Sequence, residues 1–224
     1  MLKATGLKYR YQYGNTIQFP EIEIERGQRL LINGLSGCGK TTLLSLIAGT
    51  LKLQDGDITF DKHEYSKMSS ILLDKFRADH IGYIFQTLNL IPFLSVSENI
   101  ALGIKFSSTR QSKVNDLSQE VVRLITSLGL EKEILNTPID HLSVGQQQRA
   151  AVARALLGMP DLILADEPTS ALDNDTTTKF LREVMNTFDP SHQAIIMVSH
   201  DLSIASYFDT VSYTHLTLPT SDLV

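Results

Sequence analysis

The sequence has little of what marks disulfide-rich, fibrous or disordered proteins. Its single cysteine, Cys38, excludes an internal disulfide and fits a reducing, cytosolic setting. Only 13 glycines and 7 prolines exclude collagen-like and low-complexity chains, and an apolar content of 42% excludes disorder. With 224 residues, the chain is long enough to bury a sizeable core without covalent links.

Long apolar runs and an excess of positive charge are also missing. The longest apolar runs, at residues 162–165 and 194–198, fall far short of the roughly 20 residues that span a membrane. The N-terminus has no apolar stretch of the signal-peptide type. We therefore expect any work at a membrane to go through a partner. The net charge of −5 is unfavourable for general coating of nucleic acid, and we expect no nucleic-acid partner.

Strand patterns alternate with helical ones along the chain. Residues 2–24 predict antiparallel strands, and residues 29–33 and 56–62 predict further short strands. The apolar runs at 162–165 and 194–198 suit parallel strands that are covered on both faces. This alternation predicts an α/β core.

Helical spacing of apolar residues marks four further segments. Leu117 is expected on the apolar face of the helix predicted over residues 111–129. The stretch between the core strands is too long for a simple crossover, so we expect an inserted helical subdomain at about residues 88–145. The predicted helices cover residues 40–51, 70–80, 111–129 and 202–208.

Residues 34–41 match the phosphate-binding pattern G-x-x-x-x-G-K-[ST] between a strand and a helix. Its glycines let backbone N–H groups turn inward around an anion, and the helix N-terminus adds positive charge. Lys40 is suited to reach the β and γ phosphates, and the Thr41 hydroxyl to ligate Mg²⁺. The alternative is a chance glycine-rich turn before a helix. The nucleotide-lining set predicted here is Gly34, Ser36, Gly37, Cys38, Gly39, Lys40, Thr41 and Thr42.

Two acids follow the apolar run at 162–165. Asp166 is suited to hold Mg²⁺, directly or through water, and Glu167 to polarise a water for attack on a γ-phosphate. The alternative is a pair of solvated acids that opens a loop. A phosphate loop in the same chain favours the catalytic interpretation.

Residues 142–149, Leu-Ser-Val-Gly-Gln-Gln-Gln-Arg, precede a helix that Ser143 is suited to cap. Together with the phosphate loop, Ile-Phe-Gln, Leu-Ile-Leu-Ala-Asp-Glu, Ser-Ala-Leu-Asp and Ser-His-Asp, this motif strongly resembles the nucleotide-binding subunits of ABC transporters. The motifs occur in the family's order and cover residues 1 to about 209. The resemblance implies a P-loop NTPase (RecA-like) core with an N-terminal antiparallel β-subdomain and an inserted α-helical subdomain.

The resemblance also implies a role for each matching residue. Gln86 matches the glutamine that senses Mg²⁺ and the attacking water and couples to the permease. His200 matches the histidine that hydrogen-bonds the γ-phosphate. Tyr11 matches the aromatic residue that stacks on adenine, with Tyr13 as second choice.

Two further motifs are expected to work across a dimer interface. Ser143, Gly145 and Gln146 match the signature that contacts the γ-phosphate held by the other subunit. Asp173 matches the loop that crosses the interface. Val144 stands where the family usually has glycine, which keeps the backbone N–H but tightens the packing there.

The implied activity is ATP hydrolysis, with Mg²⁺, by a homodimer that drives a separate integral-membrane permease from the inner face of the cell membrane. Residues 81–99 resemble the branch serving lipoprotein release, macrolide efflux and cell division, which favours export. One alternative is a cell-division ATPase that transmits force without moving a substrate. Another is a soluble ABC ATPase of translation or DNA repair, which a single short cassette disfavours.

Residues 211–224 resemble a translated sequencing adapter rather than the family's usual end. We therefore expect a native domain over residues 1–210 and a non-native tail over 211–224, so that an inactive fragment is a third alternative. Residues 217–224 are expected to pack poorly, while 211–216 are expected to extend a strand through their β-propensity.

Overall fold

The computed structural model describes residues 1–170 and 172–213, and within them the chain forms two sheets. The first sheet is antiparallel, and its central strand β1 pairs with β2, β3 and β5, while β5 also pairs with β6. The predicted antiparallel N-terminal region is confirmed. The strands are β1 (Leu2–Arg10), β2 (Thr16–Gln18), β3 (Ile22–Ile24), β5 (Asp55–Phe60) and β6 (His63–Glu64).

The second sheet is parallel and has the order β10-β4-β9-β8-β7. Because all these strands run the same way, their carboxyl ends lie at one edge of the sheet, where ligands of open α/β sheets bind. The strands are β4 (Arg29–Asn33), β7 (Ile81–Ile84), β8 (Leu162–Asp166), β9 (Ala194–Ser199) and β10 (Thr210–Tyr213).

Helices cover both faces of the parallel sheet, as the predicted α/β core requires. None of the helices within the described residues is long and apolar enough to cross a membrane. The helices are α1 (Lys40–Ile47), α2 (Ser70–His80), α3 (Val96–Ala101), α4 (Ser108–Ser112), α5 (Leu117–Ser127), α6 (Val144–Leu156) and α7 (Asn174–Thr187).

Alternate residues of the parallel strands enter two different cores. Leu31, Ile163 and Ile195 pack with the helical insertion on one face, whereas their neighbours along each strand pack toward α1 and the antiparallel sheet. Both faces are therefore apolar, which explains why these strands read as continuous apolar runs.

One helix prediction was wrong, and a second differs from the structure in the type of helix. The segment predicted as one helix over 111–129 forms α4 and α5, because the Asp116 side chain accepts a hydrogen bond from the Gln119 N–H and starts a new helix. Leu117 is consequently 42% exposed rather than part of the apolar face. The segment predicted as a helix over 202–208 is a 3₁₀ helix, Leu202–Tyr207.

The insertion predicted at about residues 88–145 lies between β7 and β8 and contains α3, α4, α5 and the first residues of α6. Helix α6 packs on α3, α5 and β7 and thereby attaches the insertion to the parallel sheet. Residues 210–213 at the start of the suspected tail form β10, which pairs with β4. The expectations for residues 214–224 lie outside the described residues.

Candidate nucleotide-binding site

Three neighbouring strands bring the predicted chemistry to one edge of the parallel sheet. β4 ends at Asn33 before the phosphate loop, β8 ends at Asp166, and β9 ends at Ser199 before His200. Asn33 pairs with Ser199, and Asp166 pairs with Val198, so the three ends are in register. The phosphate loop, the acids and the histidine therefore meet, although they are far apart in the sequence.

The phosphate loop has the backbone conformation that its glycines permit. Gly37 and Gly39 have φ angles of 80° and 89°, in the left-handed region that other residues rarely adopt. Gly39 is the N-cap of α1, and no side chain caps this helix, so its first N–H groups point toward the loop. Of the other predicted loop residues, Ser36 is exposed and Cys38 is buried. The loop is thus shaped as an anion site.

Lys40 lies at the centre of this loop. Its Nζ donates hydrogen bonds to the carbonyls of Gly34 and Leu35 at 2.8 and 2.9 Å, and it lies 3.1 Å from Glu167 Oε1. The side chain is only 4% exposed. A buried ammonium of this kind needs negative partners, and here a carboxylate provides the charge that a phosphate would bring.

Glu167 is held between two basic groups. Its Oε2 lies 2.9 Å from His200 Nδ1, while Oε1 faces Lys40. Burial acts to raise the pKa of Glu167, but hydrogen bonds from Lys40 and His200, together with their charges, outweigh it and leave the pKa below its usual value. Its φ of 43° is also left-handed, a strained backbone conformation that is common at functional sites.

Asp166 lies beside the Thr41 hydroxyl at the edge of the phosphate loop. The Thr41 hydroxyl donates to Asp166 Oδ1 at 3.1 Å, which brings two hard oxygen ligands together beside the phosphate loop. Burial raises the pKa of Asp166, the charge of Glu167 adds to this, and the Thr41 hydrogen bond opposes it. Mg²⁺ typically takes one or two protein oxygens and completes its shell with phosphates and water. The residues present fit that requirement.

Tyr11 follows β1 and approaches the same loop from the antiparallel sheet. Its hydroxyl lies 3.0 Å from Thr42 Oγ1, and its ring packs edge-on against Tyr9. The ring is 49% exposed, whereas Tyr13 is 94% exposed and has no hydrogen bond or ring contact to another residue in the described part of the chain. Of the two candidates for adenine stacking, the geometry favours Tyr11.

The predicted signature residues form a separate group. Ser143 caps α6 by accepting from the Gln146 N–H at 3.3 Å, and the Gln146 side chain accepts from the Ser143 N–H at 2.9 Å. Gly145 contributes its carbonyl to Arg149. Within residues 1–170 and 172–213, no hydrogen bond or ion pair joins these residues to the phosphate loop of the same chain. The structure therefore does not bring the two motifs together.

Gln86 and Asp173 lie on exposed segments that follow the carboxyl ends of the parallel strands β7 and β8. Gln86 follows β7, whose neighbour β8 ends at Asp166, directly before Glu167. Asp173 caps α7 by accepting from the Thr176 N–H and hydroxyl at 2.9 and 2.8 Å. Both side chains remain exposed and able to meet another molecule.

Sequence reasoning missed two contacts of this region. It did not foresee that Glu167 would neutralise Lys40, because Lys40 was assigned to the phosphates and Glu167 to the attacking water. It also passed over Arg154, whose guanidinium binds carbonyls next to Gln86. The available signal was an arginine within the alanine-rich second half of α6.

The site geometry agrees with comparisons to known proteins. The family model described as ABC transporter matches residues 18–170. This chain belongs to the ABC transporter family. The predicted family, the ATP-binding role and the ATPase class are thereby confirmed.

Several relatives of this ABC cassette match along nearly its whole length. The ABC transporter ATP-binding protein MJ0796 of Methanocaldococcus jannaschii is 32% identical, covering 95% of this chain and 92% of the relative. The bacitracin export ATP-binding protein BceA of Halalkalibacterium halodurans is 36% identical, covering 94% and 81%. The macrolide export ATP-binding/permease protein MacB of Pasteurella multocida is 33% identical over 94% of this chain, which spans 32% of that relative.

A solved structure confirms the fold class of the ABC cassette. The dimeric post-hydrolysis structure of MJ0796 bound to ADP and Pi superposes with a TM-score of 0.83 at 30% sequence identity. The match covers 95% of this chain and 94% of that chain. The α/β P-loop architecture with an antiparallel sheet and a helical insertion is therefore established for this chain.

Proposed function

We propose that this chain binds ATP with Mg²⁺ at the edge of the parallel sheet, hydrolyses it as a homodimer, and drives a separate membrane permease for export. The observation that carries the proposal is the contact of Glu167 with both Lys40 and His200, at 3.1 and 2.9 Å. These are a general base, a phosphate-binding cation and a γ-phosphate ligand in one network.

The γ-phosphate of ATP takes the place that the Glu167 carboxylate occupies beside Lys40. Lys40 then pairs with the β and γ phosphates, and the inward N–H groups at Gly37 and Gly39 bind the same oxygens. Glu167 is released toward the water that attacks the phosphorus. Its lowered pKa keeps it ionised at neutral pH and thus able to accept a proton.

The metal ligands proposed here are Thr41 and Asp166, with Gln86 at the neighbouring strand end. Mg²⁺ held there would supply positive charge that stabilises the negative charge of the transferred phosphoryl group. Thr41 Oγ1 and Asp166 Oδ1 lie 3.1 Å apart, which supports the proposal that both ligate one ion. His200, which lies at the Glu167 oxygen that Lys40 does not contact, hydrogen-bonds the γ-phosphate.

The second half of each site comes from a second copy of the chain. Ser143, Gly145 and Gln146 lie at the N-terminus of α6, where N–H groups and the partial positive charge suit an anion. They serve the γ-phosphate of the partner copy, and Asp173 lies at the interface. The dimeric structures of the relative MJ0796 support dimer formation.

A groove beside Gln86 is the proposed docking site for the permease. A cavity of about 560 Å³ lies between α2, β7 and the helical insertion and includes Phe85, Phe106 and Arg77. Phe106 lines this cavity and is 79% exposed, so it adds apolar surface to the groove that a partner would cover. The proposed place of the chain is therefore the cytoplasmic face of the membrane, bound through the permease. The names of the bacitracin and macrolide relatives favour export.

Glu167→Gln tests the catalytic assignment. Glutamine keeps the size of the side chain and one acceptor oxygen but cannot accept the proton, so turnover should fall about 100-fold or more while ATP binding is retained. Steady-state ATPase assays and equilibrium ATP binding measure the two effects. Glu133→Gln, at an exposed position with the same chemical change, is the control and should behave as the parent chain. Normal turnover in Glu167→Gln would refute the proposed base.

A further inference from the structure

The segment that follows Gln86 has a strained backbone. Leu88 and Asn89 have φ angles of 60° and 47°, and both therefore lie in the left-handed region. Asparagine tolerates this conformation, but leucine rarely adopts it, and two such residues in a row need support from the surrounding structure. This segment, residues 86–89, is called the Gln loop below.

The hydrogen bonds of the Gln loop identify that support. The Leu88 N–H donates to Phe85 O at 3.0 Å, and the Asn89 N–H donates to Thr87 O at 2.7 Å. The carbonyls of Leu88 and Asn89 accept from Arg154 Nη2 and Nη1, each at 2.6 Å. One planar guanidinium thus binds the two consecutive strained residues, and charge-assisted hydrogen bonds of this length are strong.

Arg154 is itself fixed in position by the packing of α6. Its backbone carbonyl lies where a side chain at residue 103 would be, only 2.1 Å from an ideal Cβ on Gly103. Only glycine permits this approach of α3 to α6. Helix α6 begins at the Ser143 cap and also packs on β7, the strand that leads to Gln86. One rigid helix therefore carries the signature motif at one end and the guanidinium near the other.

We propose that Arg154 is a positioning residue that acts through Gln86. Its guanidinium holds the Gln loop in the left-handed turn and transmits movements of the signature helix to Gln86. The proposal deepens the function proposed above and rests on the role given there to Gln86. When a nucleotide held by the partner copy engages Ser143, α6 moves as a unit and carries the Leu88 and Asn89 carbonyls with it.

The first test asks whether Arg154 holds the Gln loop, independently of catalysis. Arg154→Ala should speed hydrogen–deuterium exchange in a peptide covering residues 86–93 and leave the rest of the chain protected. Arg77→Ala is the matched control, because Arg77 Nη1 also donates to two consecutive carbonyls, those of Ala48 and Gly49, outside the Gln loop. The proposed hold of Arg154 on the Gln loop, called the clamp below, would be overturned by either of two results. One is an unchanged exchange rate at residues 86–93 in Arg154→Ala, and the other is an equal increase at these residues in Arg77→Ala.

The second test asks whether Arg154 acts through Gln86. Misplacement of a group near the reacting atoms lowers rates on the order of ten- to a hundredfold, so kcat should fall in that range in Arg154→Ala while ATP affinity is kept. Gln86→Ala should show a similar loss, and the double variant should be no slower than Gln86→Ala. Additive losses would mean that Arg154 contributes only to stability and would refute the positioning role.

A rescue experiment guards against simple unfolding. Glycine adopts left-handed φ angles without strain, so Asn89→Gly added to Arg154→Ala should recover part of the lost kcat. The kcat of Arg154→Lys should lie between those of the parent chain and Arg154→Ala, because one ammonium cannot reproduce the planar pair of hydrogen bonds. Absence of rescue in the folded double variant would count against the clamp. Full activity in Gln86→Ala would instead refute the role of Gln86, and the exchange experiment would still decide the clamp.

Discussion

The phosphate-loop region and the signature region of this molecule are built in opposite ways. Around the phosphate loop, the contacts join distant parts of the chain: Thr41 bonds Asp166 across 125 positions, and His200 meets Glu167 across 33. At the signature, the side chains of Ser143 and Gln146 each accept a hydrogen bond from the other's backbone N–H, three positions apart. The first region is a product of tertiary folding, and the second is a locally capped helix end.

This difference indicates that a single chain assembles the phosphate-loop half of the site, whereas its signature half is left to meet another copy. In the phosphate-loop half, Lys40 contacts Glu167 and the Thr41 hydroxyl contacts Asp166, all within one chain. The signature half exposes Val144, at 57%, and has its own polar groups satisfied locally. A motif that is stable by itself and remote from its substrate is suited to meet a substrate held by another copy.

Mixing two inactive variants gives the largest effect expected from this comparison. Lys40→Ala removes the phosphate cation and Ser143→Ala removes the signature hydroxyl, so each homodimer should lose nearly all turnover. In a mixed dimer, one site combines both defects and the other combines none. Equal mixing should therefore restore up to about a quarter of the parent ATPase rate, since half of the dimers are mixed and have one intact site of two.

The control for this experiment is Ser95→Ala. Ser95 caps α3 through the same reciprocal box with Glu98, so its loss should cost a similar stability, about 1 kcal/mol, without affecting turnover. If the mixture of Lys40→Ala and Ser143→Ala stays inactive although both variants dimerise, the two motifs do not serve each other across an interface.

A smaller effect is expected at the edge of the phosphate-loop half. Tyr11→Ala should weaken ATP binding about tenfold, because stacking of a base on an aromatic ring contributes about 1–3 kcal/mol. Binding of inorganic triphosphate, which has no base, should not change. Tyr13→Ala is the matched control, and equal losses in both variants would remove Tyr11 from the adenine site. Equilibrium binding of the two ligands measures the difference.

The smallest effect concerns the edge strand that flanks β4. Asp209 accepts from the Arg29 N–H at 2.9 Å and from its guanidinium at 2.8 Å. The Arg29 hydrogen bond outweighs burial and lowers the pKa of Asp209. The folded state is therefore stabilised at pH values above the unfolded pKa of about 3.9, and this is lost as the pH falls through the lower folded pKa.

Asp209→Asn should accordingly lower the free energy of unfolding at pH 7 by less than about 1 kcal/mol, since the pair is partly exposed. The difference from the parent chain should vanish in acid, as followed by denaturant unfolding at several pH values. ATP affinity should not change. A loss of ATP binding would show that the phosphate-loop half depends on β10 for its assembly.

Local chemistry made much of the site predictable. The phosphate loop was recognisable because left-handed turns at Gly37 and Gly39 need glycine, and Ser143 because a hydroxyl before a helix is a good cap. Helix α2 was predicted over residues 70–80, which are also its observed limits, Ser70–His80. The helix predicted over 111–129 failed because apolar spacing continues across Asp116, where a cap restarts the helix.

The sequence by itself determined the residue types, the order of the motifs and the alternation of strands and helices, because each depends on a few neighbouring residues. Only the tertiary structure decided that Glu167 faces both Lys40 and His200, and that Arg154 binds the strained carbonyls after Gln86. Those contacts follow from the order of strands in the parallel sheet and from the packing of α6 on β7. No short segment of the sequence predicts these contacts, because they join residues that come together only when the chain folds.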